Sequence, residues 1–439
     1  MKKLVFCSAF IFVLLLCATA CGASDVPGDG QVIDSAANKN LSISVTSDML
    51  GYYAYAIEGF KAIHPDVEIE LHSYDGDHQK YRQQIRVQLM AGQADDLLSY
   101  AGFNDQRYLD SSLIADFYPI MQNDPDFNKA DYFMSVIDGF SYKNKLPIFP
   151  LYFAYWGIAV NDSFSPELSQ KFKQYDKITF EEVFDLYNNL ENKSNYYISR
   201  GIDALTALER NINTFVDFEN KKCYFNDPKF IEFITDAKNA TDPQKIADGS
   251  LGTLFGVSGY DEKEQNEFAL KYLFFDDCIQ FHQYFAPDYE EKKFNDFIPL
   301  VQENGKLIVE ASVAFVLNEA SKNKELAWEF IKYLTTMDMQ GYKYYSYFIF
   351  PVHRQKFKTY ADYVWQYLKE DYYGEFETRE TGGQVIARLE AYNSMPMPFP
   401  IYIYLDAVKE IIQSFYDGVL TAEQTANELQ NKVSIYLME

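Results

Sequence analysis

The stretch that decides the fold runs from residue 41 to residue 71 and reads LSISVTSDMLGYYAYAIEGFKAIHPDVEIEL. At its two ends, Leu41–Val45 and Val67–Leu71 alternate apolar with polar residues, a pattern typical of strands. Between them, Ala56–Ile63 places apolar residues at helical spacing, and Pro65 ends the helix. This strand–helix–strand unit predicts a parallel sheet with a right-handed crossover, and therefore an α/β fold.

The next segment extends the sheet and places polar side chains at one of its edges. A helical pattern over Tyr81–Leu89 is followed by a short strand, Asp96–Tyr100. In open α/β sheets, ligands bind at the loops that follow the carboxyl ends of strands. We therefore expect Asp48, after the first strand, and Tyr100 and Asn104, at the third, to lie at the rim of one site.

The N-terminus has the features of an export signal. Met1–Lys3 is positive, Leu4–Cys17 is apolar and uncharged, and the residues before Cys21 are small. The apolar run is too short to cross a bilayer comfortably, so it predicts a signal peptide. A cysteine after Ala-Thr-Ala resembles the bacterial lipobox, which implies removal of residues 1–20 and lipidation of Cys21. Ordinary cleavage near this cysteine, without a lipid, is the alternative.

Residues 21–40 are rich in small and polar residues and have no apolar period. This composition is typical of a flexible tether. No later segment is long and apolar enough to cross a membrane, so we expect an extracytoplasmic protein, held at the membrane only by its lipid anchor.

Charge and composition restrict the possible partners. The formal net charge is -25, which argues against nucleic acid because phosphate binding needs a basic surface. Tyr and Phe each occur 36 times, and these rings can form the core or stack on a ligand. Two cysteines beyond the leader, Cys223 and Cys278, could form one disulfide, and the sequence leaves this open. No zinc-binding spacing is present, and we expect no cofactor or metal.

Several stretches resemble family 1 of the bacterial extracellular solute-binding proteins, which includes maltose- and oligosaccharide-binding proteins. The most specific is ASKNKELAWEFIKYL at residues 320–334, and the matches keep the order expected of the family. The other matching stretches are residues 146–162, residues 298–306, residues 350–354 and the tail from residue 422.

The resemblance implies two α/β lobes with the ligand in the cleft between them. By order along the chain, the first lobe takes residues 41–153 and 314–355, and the second takes residues 154–313 and 356–439. It also implies that the protein captures a small solute, a mono- or oligosaccharide, by hinge closure and delivers it to ABC permease subunits. We expect a monomer.

A sugar presents hydroxyl groups at its edge and C–H patches on its faces, so its site combines aromatic rings with carboxylates and amides. At the positions the family uses, Asp48 and Asn104 are candidates to bind hydroxyl groups, and Tyr155 or Trp156 is the candidate to stack. Each of these residues could instead have an ordinary loop or core role. The full set of candidate ligand-binding residues is Asp48, Tyr52, Tyr53, Tyr100, Asn104, Tyr155, Trp156 and Phe399.

Two other functions remain open at the level of sequence. An exported carbohydrate-active hydrolase is one, although no Gly-x-Ser-x-Gly, His-Glu-x-x-His or P-loop motif is present and we expect no enzyme. Paired carboxylates carry no weight among 64 acidic residues. The other is a surface lipoprotein that senses a ligand with the same fold. Trp328, within the family-like helix, is expected to serve packing.

Overall fold

In this computed structural model, the described strands lie between residues 39 and 351, within the unit Lys39–Glu439. The strands are β1 (Lys39–Thr46), β2 (Val67–Tyr74), β3 (Leu97–Ser99), β4 (Ile148–Asn161), β5 (Val216–Asp217), β6 (Lys222–Cys223), β7 (Leu270–Phe275), β8 (Phe294–Pro299), β9 (Val309–Leu317) and β10 (Phe350–Pro351). The structure describes residues 39–74, 78–100, 106–109, 111–161, 166–189, 203–240, 270–275, 294–337, 350–367, 382–395 and 406–438. The predictions for Cys21, Asn104, Cys278 and Phe399 lie outside these residues.

Helices connect and cover the strands. In chain order they are α1 (Leu50–Ile63), α2 (His78–Ala91), α3 (Gln106–Leu109), α4 (Phe117–Asn123), α5 (Met134–Gly139), α6 (Pro166–Phe172), α7 (Phe180–Asn188), α8 (Ala204–Arg210), α9 (Ile212–Phe215), α10 (Pro228–Ala240), α11 (Lys324–Thr336), α12 (Arg354–Tyr367), α13 (Gly382–Asn393), α14 (Asp406–Tyr416) and α15 (Ala422–Met438). None of the helices in the described ranges is long and apolar enough to span a bilayer.

The predicted strand–helix–strand unit is confirmed. β1 pairs in parallel with β2 along its whole length and also in parallel with β3. The alternating residues Leu41, Ile43 and Val45 are buried, as the pattern required. α2 ends where expected, because Gly92 adopts φ 66°, a left-handed conformation that favours glycine.

Strand β4 changes partners part-way along its length. Its first part, Ile148–Tyr155, pairs antiparallel with β9, whereas Tyr155–Asn161 pairs with β7 and β8. The sheet therefore runs in the order β10-β4-β9-β3-β1-β2, with β7 and β8 attached to the far part of β4. Tyr155 and Trp156 stand at the changeover between these two sets of partners.

Two helices begin with a capping box. Thr179 and Glu182 form a reciprocal box at the start of α7. A second box, Thr421 with Gln424, begins α15. Both boxes satisfy backbone N–H groups that have no partner inside the helix. Each box lies within four consecutive residues, so the start of the helix can be recognised from the local sequence.

The core near α11 is aromatic, and it confirms the packing role of Trp328. This indole lies 5.1 Å from the ring of Phe149 and 5.4 Å from the ring of Phe127. Its Nε1 donates to Asp124 Oδ2 at 2.7 Å, and Lys332 Nζ reaches the same oxygen at 2.6 Å. The buried indole nitrogen and the carboxylate are thus both satisfied. Asp124 therefore links two residues of α11, Trp328 and Lys332, to the loop after α4.

Candidate functional site

The changeover in β4 fixes Trp156 firmly in place. Its backbone N–H donates to Ile308 O at 3.2 Å, and its carbonyl accepts from Leu300 N at 2.9 Å. Only 3% of Trp156 is exposed. Both backbone contacts come from the segment between β8 and β9, so the indole is held where the two parts of the sheet meet.

Two charged side chains surround the indole. The guanidinium of Arg210, at the end of α8, lies 4.3 Å from the ring centroid of Trp156. Its Nη1 is 3.2 Å from Glu310 Oε2, and Trp156 Nε1 donates to that oxygen at 3.3 Å. The side chain of Arg210 is 4% exposed and that of Glu310 is 22% exposed. An aromatic face, a cation and an anion from three separate segments therefore satisfy one another in a largely water-excluded place.

Glu209 gives this region a group that titrates near neutral pH. Burial, which disfavours the charged carboxylate, raises the pKa of Glu209 to about 7. The positive charges of Arg210 and Lys409 act in the opposite direction, whereas Asp203 and Glu310 add to the increase. The raised pKa favours the neutral carboxyl group, which can donate as well as accept a hydrogen bond.

Gln302 and Asn211 extend the polar surroundings of Arg210. Gln302 Nε2 donates to the carbonyl of Arg210 at 3.0 Å. Asn211 follows directly in the chain, and its Oδ1 accepts from Thr214 Oγ1 at 2.8 Å. Both amide side chains are almost fully buried. Uncharged hydrogen-bonding groups therefore lie beside the ion pair of Arg210 and Glu310.

Two of the rim residues predicted from strand ends, Asp48 and Tyr100, lie where the sheet geometry requires. Asp48 sits in a 3₁₀ turn, Ser47–Met49, directly after β1, and its side chain is 55% exposed. His78 Nε2 lies 3.7 Å from its Oδ2. Tyr100 follows β3, and its backbone N–H donates to Ala314 O at 2.9 Å. Because β1 and β3 are parallel neighbours, Asp48 and Tyr100 lie at the same edge of the sheet.

The other predicted rings are fully enclosed by protein. Tyr52 and Tyr53 are buried at the start of α1, with ring centroids 5.0 Å apart. Tyr155 is buried between Phe350, at 5.2 Å, and Tyr392, at 6.0 Å. These contacts give the three tyrosines a part in the core, so their contact with a ligand stays a prediction.

Sequence reasoning missed Arg210 and Glu310, which the fold brings to Trp156. It also left open a disulfide at Cys223, which is a free, buried thiol in this structure. His72 binds Asp95, with Nδ1 2.9 Å from Oδ2. Within the described part of the chain, no group of three or more His, Cys, Asp or Glu side chains could hold a metal ion.

The sequence also matches the model of a known protein family. The model of the family described as "Bacterial extracellular solute-binding protein" matches residues 43–341. The chain belongs to this family. The match covers β1 to β9, including Trp156, Arg210 and Glu310, and it confirms the resemblance found in the sequence. The family consists of binding proteins that act outside the cell. No curated protein matched the chain by sequence.

Solved structures of family members share the fold of this solute-binding protein, with low sequence identity. The sugar-binding protein MalE from Xanthomonas citri has a TM-score of 0.60 and 12% identity, over 91% of this chain and 98% of that chain. An ABC substrate-binding protein from Listeria monocytogenes, in complex with cycloalternan, has a TM-score of 0.55 and 13% identity, over 91% and 98%. A periplasmic oligogalacturonide-binding protein from Yersinia enterocolitica has a TM-score of 0.58 and 13% identity, over 91% and 99%. The fold is therefore the two-lobed α/β fold of these proteins.

Proposed function

We propose that this solute-binding protein is the substrate-binding lipoprotein of an ABC importer, which captures a mono- or oligosaccharide outside the cell and delivers it to a membrane permease. The observation that carries the proposal is the cluster of Trp156, Arg210 and Glu310 at the changeover of β4. An aromatic ring framed by buried polar groups suits a sugar, which has both C–H faces and hydroxyl groups. The sugars and solutes bound by the structural relatives support the same class of ligand.

We propose that the two lobes are joined where β4 passes from its partner β9 to its partners β7 and β8. The first lobe comprises residues 41–153 and 314–355, and the second comprises residues 154–313 and 356–439. The division at residue 153 agrees with the pairing of β4, which passes to β7 and β8 from Tyr155 onward.

Hinge closure is the proposed mechanism. Because Trp156 is 3% exposed, a solute can stack on its ring only after the groups that cover the ring have moved. A ligand that contacts both lobes only in the closed form shifts the equilibrium towards that form, by its difference in affinity for the two states. The permease then recognises the closed shape.

The proposed ligand contacts are Trp156, stacked on the sugar, with Asp48 and Asn104 bound to hydroxyl groups. The side chain of Asp48 is 55% exposed at the sheet edge, and its carboxylate can accept hydrogen bonds from sugar hydroxyl groups. The less direct candidates are Tyr52, Tyr53, Tyr100, Tyr155 and Phe399. We further propose that the protein catalyses no reaction, that it is a monomer and that Cys21 carries the lipid anchor.

Thermal-shift screening of the mature chain against a panel of sugars tests the proposal. A ligand at 100 times its Kd stabilises the folded state by about 2.7 kcal/mol, which gives a clear shift. Turnover of the same sugars, followed by chromatography, is expected to be undetectable. Hydrolysis of a glycoside, or the absence of any shift across the panel, would contradict the proposal.

A matched pair of variants then tests the site. Trp156→Leu is expected to abolish the shift in a protein that still folds. Trp328→Leu, which removes an equally buried indole from the α11 core, is expected to lower stability but leave affinity unchanged. A full ligand shift in Trp156→Leu removes this residue from the site.

A further inference from the structure

Three buried side-chain atoms of uncharged residues around the end of α8 have no hydrogen-bond partner among the described residues. They are the Thr206 hydroxyl, Asn211 Nδ2 and Gln302 Oε1. Each side chain is 2% exposed or less. Buried polar atoms without a partner are rare and costly, so such atoms often mark a place where another molecule binds.

The three atoms belong to one small region. Thr206 lies one helical turn before Arg210 and therefore on the same face of α8. Asn211 follows Arg210 in the chain, and Gln302 donates to the Arg210 carbonyl. Hydrogen bonds fix the two amide side chains: Asn211 Oδ1 accepts from Thr214, and Gln302 Nε2 donates to the Arg210 carbonyl. Asn211 Nδ2 and Gln302 Oε1 are thus held in position rather than free to turn away.

The chemistry of these atoms matches hydroxyl groups. A threonine hydroxyl donates and accepts, an amide nitrogen donates and an amide oxygen accepts. A sugar hydroxyl both donates and accepts, so it can satisfy any of the three. None of the three groups carries a charge that would select an ionic ligand.

The charges around α8 disfavour an anion. The guanidinium of Arg210 is paired with Glu310 and covered by the ring of Trp156. The carboxyl groups of Asp203, Glu209 and Glu310 influence one another here, against the two cations Arg210 and Lys409. The chain as a whole carries -25, which adds long-range repulsion of anions.

We propose that the end of α8 is a subsite for the hydroxyl groups of an uncharged sugar, bound by Thr206, Asn211 and Gln302, and that the site rejects sugars that carry a carboxylate. The inference rests on the proposed function and specifies its class of ligand. It separates this protein from relatives such as the oligogalacturonide-binding protein, whose ligand is acidic.

Calorimetry with matched sugars tests the charge of the ligand. The probes are glucose, galactose and their oligosaccharides, each beside its uronic acid counterpart, including oligogalacturonides. We expect binding of a neutral sugar and at least about 100-fold weaker binding of the matching acid, since like charges at an interface are strongly unfavourable. An acid that binds as tightly as its neutral counterpart overturns the inference.

Thr206→Val tests the subsite with a change of one hydroxyl to a methyl group. The affinity for the neutral sugar is expected to fall about tenfold, as for the loss of one hydrogen bond. Without ligand, the variant should melt at the same temperature as the wild type or higher, because it removes an unsatisfied hydroxyl. Thr206→Ser keeps the hydroxyl and should bind like the wild type.

Thr425→Val is the matched control. Thr425 is also fully buried in a helix, but its Oγ1 donates to Thr421 O at 2.8 Å. This control should lower the melting temperature and leave affinity unchanged. Unchanged affinity in Thr206→Val, or loss of its fold, overturns the subsite alone. A panel in which no sugar binds overturns the proposed function and the subsite with it.

Discussion

Glu310→Gln is expected to destabilise the protein by breaking its buried ion pair with Arg210. The substitution keeps the size of the side chain and leaves an amide oxygen that can still accept from Trp156 Nε1. It removes the negative charge 3.2 Å from Arg210 Nη1. The guanidinium, with its side chain 4% exposed, then loses this negative charge from its surroundings in the protein interior.

The magnitude follows from burial. Removing one partner of a fully buried ion pair costs about 3–5 kcal/mol, because an uncompensated charge stays behind. The side chain of Glu310 is 22% exposed, so water already screens part of the attraction. The contact of Arg210 with the ring of Trp156 also remains, and such contacts contribute about 0.5–2 kcal/mol. We therefore expect Glu310→Gln to lower the free energy of unfolding by about 2–3 kcal/mol.

The assay is urea unfolding at pH 7, followed by circular dichroism and by tryptophan fluorescence. Coincidence of the two transitions checks that one free energy describes unfolding. The same substitution is also made in an Arg210→Met background. There it should be neutral or stabilising, because Glu310 is then the unpaired charge and its neutralisation removes a cost.

Equal costs of Glu310→Gln in the two backgrounds would refute this reasoning. Equality would show that the carboxylate of Glu310 acts independently of Arg210, and that their 3.2 Å contact makes no net contribution. A cost below about 0.5 kcal/mol in the wild-type background, a value typical of an exposed pair, would lead to the same conclusion.

Three further perturbations test the packing and the electrostatics. Because burial raises the pKa of Glu209 to about 7, wild-type stability should fall as pH rises from about 4.5 to about 7. In thermal melts, Glu209→Gln should be more stable than the wild type at pH 8, by at most about 3 kcal/mol, and equally stable at pH 4. Asp124→Ala, which leaves Trp328 Nε1 and Lys332 without their acceptor, should cost about 2–3 kcal/mol in urea unfolding, and Asp124→Asn less. Gly92→Ala should lower stability by about 1 kcal/mol in the same assay, because φ is 66° there although the space is open.

The fold could be predicted because its signals are local. Strand alternation at Leu41–Val45, the capping box at Thr179 and the stop at Gly92 each depend on a few neighbouring residues. The parallel pairing of β1 with β2 then follows from the helix that connects them, whereas the order of the other strands was not predicted. The changeover of β4 was approached only through that resemblance, since no local pattern at Tyr155 shows that the strand exchanges partners there.

The site could be predicted only in part. Trp156 was chosen because it lies at a crossing, but its partner Glu310 is 154 residues away and is one of 64 acidic residues. Arg210 has no motif around it that would link it to either. Tyr52 and Tyr53 were chosen from their place at the start of a helix, and the sequence could not show that both rings are enclosed. Long-range contacts of this kind depend on the complete fold.

The cluster at Trp156 also limits how much affinity the indole can contribute. Arg210 already covers one face of the ring, so a sugar can gain only the other face, worth about 1 kcal/mol. Each neutral hydrogen bond to a hydroxyl contributes about as much. A micromolar Kd requires about 8 kcal/mol, which Trp156, Thr206, Asn211 and Gln302 together do not reach. Under the proposed hinge closure, tight binding therefore requires groups from the other proposed lobe, such as Asp48, whose contacts would form only in the closed state. Affinity and closure are in this way consequences of the same contacts, and a variant that cannot close should bind its sugar only in the millimolar range.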